Sequence, residues 1–305
     1  MHPTADLRRT SRAKPQANRF KPNEKKPQRA YGVLMASFDE VGFLSDEMED
    51  WKRAAHNAYP EAFEYAYQAN AMATHLMRKI PPAESEEQKW AIAAFSRGLG
   101  AFQNALLMIE RGSLADARTL IRVCAETVIV VKALLVFPDT LEILKEGEAE
   151  HQIKARRQVI ELASQPAGLD DIAALKESIA ELELQYPKRR SLNIRTLAGK
   201  LFLDAFYEFA FRYPSGNAAH ATLGAFVRHM PTDAEGKFHY FFGPDISDMA
   251  STLYTATYAI TELVAVAAHQ MECDIKDTIT FLNLQEHYRN EIKPILEARI
   301  GEEEP

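Results

Sequence analysis

Cysteine is nearly missing from the chain. Cys124 and Cys273 are the only two in 305 residues, far apart and each inside a helical pattern. That excludes a disulfide framework and a cysteine-based zinc site, and fits reduced, buried thiols in a cytoplasmic protein. The N-terminus lacks the apolar core of a secretory signal. Uninterrupted apolar runs of membrane-spanning length are lacking too. Arg122, Glu126 and Lys132 break 120–137, and Glu262 breaks 249–268, so no membrane association is expected. There is no phosphate loop, dinucleotide fingerprint, GxSxG or HExxH motif. Glu148 and His151 make one ExxH spacing. Carboxylate-bridged metal bundles need two of these plus two further Glu. Neither a metal nor another cofactor is expected.

Charge is present but uneven. Residues 1–30 hold nine Lys or Arg against Asp6 and Glu24, so the rest of the chain carries twice the protein's net charge of −7. Pro3, Pro15, Pro22 and Pro27 punctuate this basic arm, and few apolar residues accompany them. Such a composition stays disordered in isolation. An acidic body excludes a whole-surface nucleic-acid binder, leaving the arm to touch RNA or another anionic surface.

From residue 31 to 305 the pattern is that of one helical domain. Pro60 opens a helix to about Ile80, and Ser85 starts one to Arg111. In the latter, Ile92, Phe95, Leu99, Phe102, Leu106 and Ile109 alternate spacings of three and four, a seam for an antiparallel partner. Gly112 suits the left-handed residue that ends a helix. Ser113 with Asp116 suits a capping box for the next one, which Pro138 stops. A helical hairpin over 85–111 and 113–136 follows as the expected core. Residues 138–190 read as two charged helices, a projecting hairpin on that core. Asn193 to Tyr213 reads as one further core helix, Phe202 included. A helix over 217–227 carries His220, and Asp233-Ala234-Glu235-Gly236 marks a hairpin turn. A long helix to Met271 and a last one opening at Asp277 complete the chain. The expected fold is an all-α irregular multi-helix bundle with at most one short β-hairpin.

Within the apolar stretch 112–137, Arg118, Arg122 and Glu126 recur every four residues and stack on one side of the helix. Buried ions need partners. The stripe is therefore either an internal ion pair or the wall of a polar pocket, with Glu126 expected to pair with an arginine. His220, just inside a helix start, would be kept neutral by the helix dipole and able to act as a base. Ser215 reads better as a cap than as its nucleophilic partner.

ADARTLIRVCAETVIVVKALL followed by IRTLAGKLFLDAFYEFAFRYPSGNAAHATL resembles an uncharacterised all-helical bacterial family, a domain of unknown function that is itself similar to HEPN domains. The resemblance covers about residues 60–270. It implies a bacterial defence or toxin–antitoxin setting and a metal-independent ribonuclease, with Arg118, Arg122, Glu126 and His220 catalytic. Tyr207, Tyr213 and Ser215 match the family's pattern too, Tyr213 and Ser215 as substrate contacts; Arg228, which flanks the expected hairpin, is a further candidate for a polar mouth. HEPN ribonucleases place four to six residues between their arginine and histidine. The nearest arrangement here is Arg212 to His220, with seven between.

Two functional readings follow. In the first, His220 takes the proton of a ribose 2′-hydroxyl while Arg118 and Arg122 stabilise phosphoryl charge and the basic arm holds RNA. In the second, the chain is a non-catalytic helical module for a partner protein or a small anionic ligand. Either reading accommodates a homodimer.

Overall fold

The computed structural model describes residues 37–162, 169–214, 222–233, 235–270 and 274–303. The basic arm, Ser215, His220 and Cys273 lie outside the described residues.

The bundle is built on a hairpin of two long helices, α4 (Glu86–Ile109) and α5 (Leu114–Val136). Ser85 caps α4, its hydroxyl accepting from the Gln88 amide at 3.1 Å. At the other end Gly112 takes φ +70°. The Ser113 amide then reaches back to the Met108 carbonyl and the Gly112 amide to that of Ile109, both at 2.9 Å. This pair of bonds satisfies the orphan carbonyls and turns the chain. Gly112 is required for a second reason. A Cβ there would stand 2.7 Å from Pro244 Cβ and 2.9 Å from the Asp245 amide, while its own carbonyl accepts from that amide at 2.9 Å. The capping box expected next to it does not form. The Ser113 hydroxyl donates to the Asp116 carboxylate at 2.6 Å and leaves the first turn of α5 without a side-chain cap.

The α4 seam is the core face. Phe95, Leu99, Phe102, Leu106 and Ile109 are all buried. By length and composition α4 is also apolar enough to cross a membrane, but here that apolar face packs against α5. Two more long helices complete the core, α3 (Pro60–Lys79) and α11 (Met249–Gln270), which lies on α3, α4 and α5. The helices approach closely at Gly98, where a Cβ would meet Thr127 at 3.1 Å and Leu263 at 3.3 Å. Buried Thr252, Thr255, Thr257 and Thr261 of α11 satisfy themselves by donating to carbonyls one turn back.

Ahead of this core come α1 (Phe38–Val41), a short 3₁₀ turn and α2 (Met48–Ala58). Helices α6 (Thr140–Leu162) and α7 (Leu169–Gln185) pack on one another. Arg157 pairs with Glu183 at 2.6 Å, and Arg190 pairs with buried Glu146 at 2.7 Å.

The helix expected over 193–213 is interrupted. Asn193 caps α8 (Ile194–Lys200), accepting from Thr196 at 2.9 Å. Phe202 then sits at φ +58°, 93% exposed rather than in the core. The Leu203 amide reaches the Ala198 carbonyl at 2.8 Å, the helix-ending bond more often built around glycine. A new start, α9 (Asp204–Phe206), runs directly into a π-helical turn at Tyr207–Arg212. α10 is Leu223–Val227 and starts at Thr222, whose hydroxyl accepts from Ala225 at 3.1 Å. Residues 217–221 of the helix expected there lie outside the described residues.

The expected hairpin exists as a paired loop without strands. Thr232 and Phe238 form one antiparallel bridge. On either side, the His239 amide donates to the Pro231 carbonyl and the Phe241 amide to the His229 carbonyl, both at 2.9 Å. Asp233 organises the turn, accepting from the Glu235 and Lys237 amides and lying 2.6 Å from His239 Nε2. The last helix begins at Ile275, capped by Asp274, two residues before the expected start. α12 (Ile275–His287) passes through a second π-helical turn, Tyr288–Ile292, into α13 (Lys293–Glu303).

Candidate functional site

The buried guanidinium of α5 is fully engaged. Arg118 is 2% exposed. Its Nε donates to Thr252 Oγ1 at 3.0 Å and one terminal nitrogen to Ser251 Oγ at 2.8 Å. The other lies 3.2 Å from Asp248 Oδ2. That same oxygen accepts from Arg228 at 2.9 Å, and the Tyr213 ring stands 5.9 Å from the Arg118 guanidinium carbon. Three of the sequence-derived residues, Arg118, Arg228 and Tyr213, therefore converge. They converge on Asp248, just ahead of α11, a residue not singled out from the sequence.

The rest of the stripe behaves differently. Arg122 lies over the Phe211 ring at 4.9 Å. Glu126 is half-buried and, among the described residues, is paired with neither arginine. The carboxylate that compensates Arg118 is Asp248, on a separate segment. A guanidinium with every nitrogen held by protein side chains is a clamp between α5 and the start of α11.

A second four-residue stripe lies on α11. Tyr254, Tyr258 and Glu262 share one side of that helix and face a matching series, Gln285, Arg289 and Lys293, on the chain running back. Between them is a cavity of about 250 Å³. Both π-helical turns reach it, through Phe209 of the first and Tyr288 and Arg289 of the second. π-turns are rare and recur at functional sites, because the extra residue re-aims the side chains around it. The Tyr258 and Tyr288 rings are near parallel, 18° apart with centroids at 6.5 Å.

The electrostatics of this cavity are distinctive. Burial pushes the Glu262 carboxyl above its usual range, with Lys132 and Arg289 partly offsetting it. Burial, then the nearness of Glu262, pushes the Tyr258 phenol up to about 12. Tyr254 is raised by burial and by Glu297, and Tyr288 is raised chiefly by burial. These phenols remain neutral donors at physiological pH. Tyr288 is 5% exposed, yet among the described residues its hydroxyl has no hydrogen-bond partner. Thr257 stands close enough to act on it, as an acceptor because its own proton goes to the Leu253 and Tyr254 carbonyls, but the two hydroxyls do not meet hydrogen-bonding geometry. A buried polar group of this kind costs about 1–3 kcal/mol when unsatisfied. Of these tyrosines and Glu262, the sequence marked only Glu262, as a break in the apolar run 249–268, although Tyr254, Tyr258 and Glu262 repeat the spacing of Arg118, Arg122 and Glu126.

A third polar group ties α2 and α3 to the end of α4. The buried Glu110 carboxylate receives His56 Nε2 at 3.0 Å, Lys52 at 2.9 Å and the Tyr67 hydroxyl. Among the described residues, no group of His, Cys, Asp and Glu is arranged to hold a metal ion.

In comparison with known proteins, residues 88–238 match a family of unknown function (DUF5677). The matched segment runs from α4 to the paired loop, just under half of the chain, and its described part is helical. No curated protein and no solved structure gives a significant match. The tyrosine-lined cavity draws only Ala205 and Phe209 from the matched segment. Its other walls come from α11 to α13, beyond it.

Proposed function

We propose that this protein is a non-catalytic helical module that binds a small ligand in the cavity between α11 and α12–α13. The observation that carries this is the cavity itself: a partly enclosed, aromatic-walled space with the buried, unsatisfied Tyr288 hydroxyl in its lining. Ligand sites typically combine apolar walls with a few convergent polar groups. A hydroxyl left without a partner is explained when a ligand supplies one. A HEPN-like ribonuclease would instead use a histidine beside an arginine free to meet phosphate. Arg118 has no free edge, so the ligand-binding alternative is the reading adopted.

The test is ligand-observed NMR on the full chain with benzoate, benzamide and benzylamine, repeated on Ala205→Trp. Ala205 is an exposed residue on the cavity wall, so the larger side chain covers the opening without disturbing the core. Binding of at least one compound that disappears in Ala205→Trp supports the proposal. Binding that persists in that variant, or no binding by the wild type, overturns it.

A further inference from the structure

We infer that the ligand of this cavity is a small organic monocarboxylate, its carboxylate on Arg289 and its body between Phe209 and the tyrosines; this rests on the binding-module reading above. The first argument is charge. Lys293 has Glu297 beside it at 3.7 Å. Glu262 has both Lys132 and Arg289 near enough to lower its pKa. Arg289, which is exposed, acts on Glu262 from a distance and, among the described residues, touches no carboxylate. With Lys132, Arg289 and Lys293 set against Glu262 and Glu297, one positive charge is left over, matched to a single negative charge. A guanidinium binds a carboxylate through two parallel hydrogen bonds.

The second argument is donor count. The lining's guanidinium, ammonium and amide groups only donate, its hydroxyls can donate or accept, and its only pure acceptors are the Glu262 carboxylate and the Gln285 carbonyl. An acceptor-rich ligand satisfies such a surface, and a cation does not. The third argument is shape. The aromatic walls favour an organic body over a bare ion, and about 250 Å³ lies below the roughly 300–1,000 Å³ of drug-sized sites. The carboxyl of Glu262 supports the same assignment. It is held toward its neutral form by burial, so it opposes an anion less than an ordinary carboxylate would. Lys132 and Arg289 face it from the neighbouring helices, with Tyr65 and Tyr258 alongside.

Isothermal titration of the full chain with benzoate, benzamide and benzylamine tests the inference. The three share a ring and differ in charge. Benzoate is expected to bind about tenfold more tightly than either other probe, the value of one charge-assisted hydrogen bond. Arg289→Gln is expected to bring benzoate down to the benzamide level and leave benzamide unchanged. Arg289 is exposed, so this variant folds; Lys293→Gln should reduce benzoate affinity less. Tighter binding of benzylamine or benzamide overturns the carboxylate inference while leaving the binding module standing. Benzoate affinity untouched by Arg289→Gln overturns the placement. Failure of all three probes removes the module and the inference together.

Discussion

The Arg118 guanidinium on α5 is compensated by Asp248, 3.2 Å away at the head of α11, and not by Glu126 two turns along its own helix. Asp248→Ala should leave Arg118 buried and short of its charge partner, and release Arg228 as well. Asp248 is itself partly exposed, so the expected cost is about 2 kcal/mol rather than the ~3–5 of a fully buried pair. Glu126→Ala should cost under about 1 kcal/mol. Urea midpoints of the two variants check the ranking, and equal losses would contradict it.

Two left-handed residues should respond in opposite directions to substitution. Gly112→Ala places a methyl group against Pro244 at a positive φ and should destabilise by more than about 2 kcal/mol. Phe202→Gly relieves a positive φ at an almost fully exposed ring and should stabilise by roughly 1 kcal/mol. Thermal unfolding of both reads the sign directly.

Glu110 sets an acid limit. Burial alone would raise its carboxyl, but Tyr67, Lys52 and His56 outweigh burial and hold it below the usual value of 4.5. A folded pKa below the unfolded one gives stability that is present above about 4.3 and is lost as pH falls through the folded value. Glu110→Gln should therefore flatten the acid limb of a stability–pH profile while lowering stability at neutral pH. An unchanged acid limb would show that another carboxylate governs it.

Glu262 has the opposite sign. Burial raises its folded pKa, so ionising it costs stability at neutral pH. That cost fades as pH falls through the raised folded pKa toward the unfolded value. Glu262→Gln should stabilise the protein near pH 7 and have little effect at acid pH. In the same window, benzoate should bind the wild type more tightly as pH falls, because protonating Glu262 removes a like charge and adds a donor. The pH dependence should vanish in Glu262→Gln.

Cys124 is fully buried, and burial pushes its thiol up to about 12. A thiolate is the reactive form. Peptide mapping after treatment of the folded protein with a maleimide at pH 8 should find Cys124 unmodified, and modified once denaturant is added. Labelling in the native state would mean that the α5 core opens readily.

Local features were legible in the chain because their causes are local. Gly112 marked the turn after α4, and Ser85 and Pro60 marked helix starts. The three–four spacing through Phe95, Leu99, Phe102 and Leu106 marked a buried face. All four are backbone or one-helix effects, decided by residues a few positions apart. The interruption at Phe202 was not legible, since nothing in a Phe announces a left-handed residue. Surrounding packing has to hold it there.

The sequence by itself therefore determined an all-α bundle with the α4–α5 hairpin at its centre, and it marked which helix faces were unusual. Tertiary structure decided what those faces meet. A charge every fourth residue shows which side of a helix is polar, but its partner is chosen by how helices cross. Arg118 met Asp248 because the start of α11 lies against α5. Tyr254, Tyr258 and Glu262 became a cavity wall because α12 and α13 return alongside α11, with two π-turns re-aiming Phe209, Tyr288 and Arg289 into the gap. Such long-range pairings depend on the close packing of whole helices, a property no short stretch of chain carries.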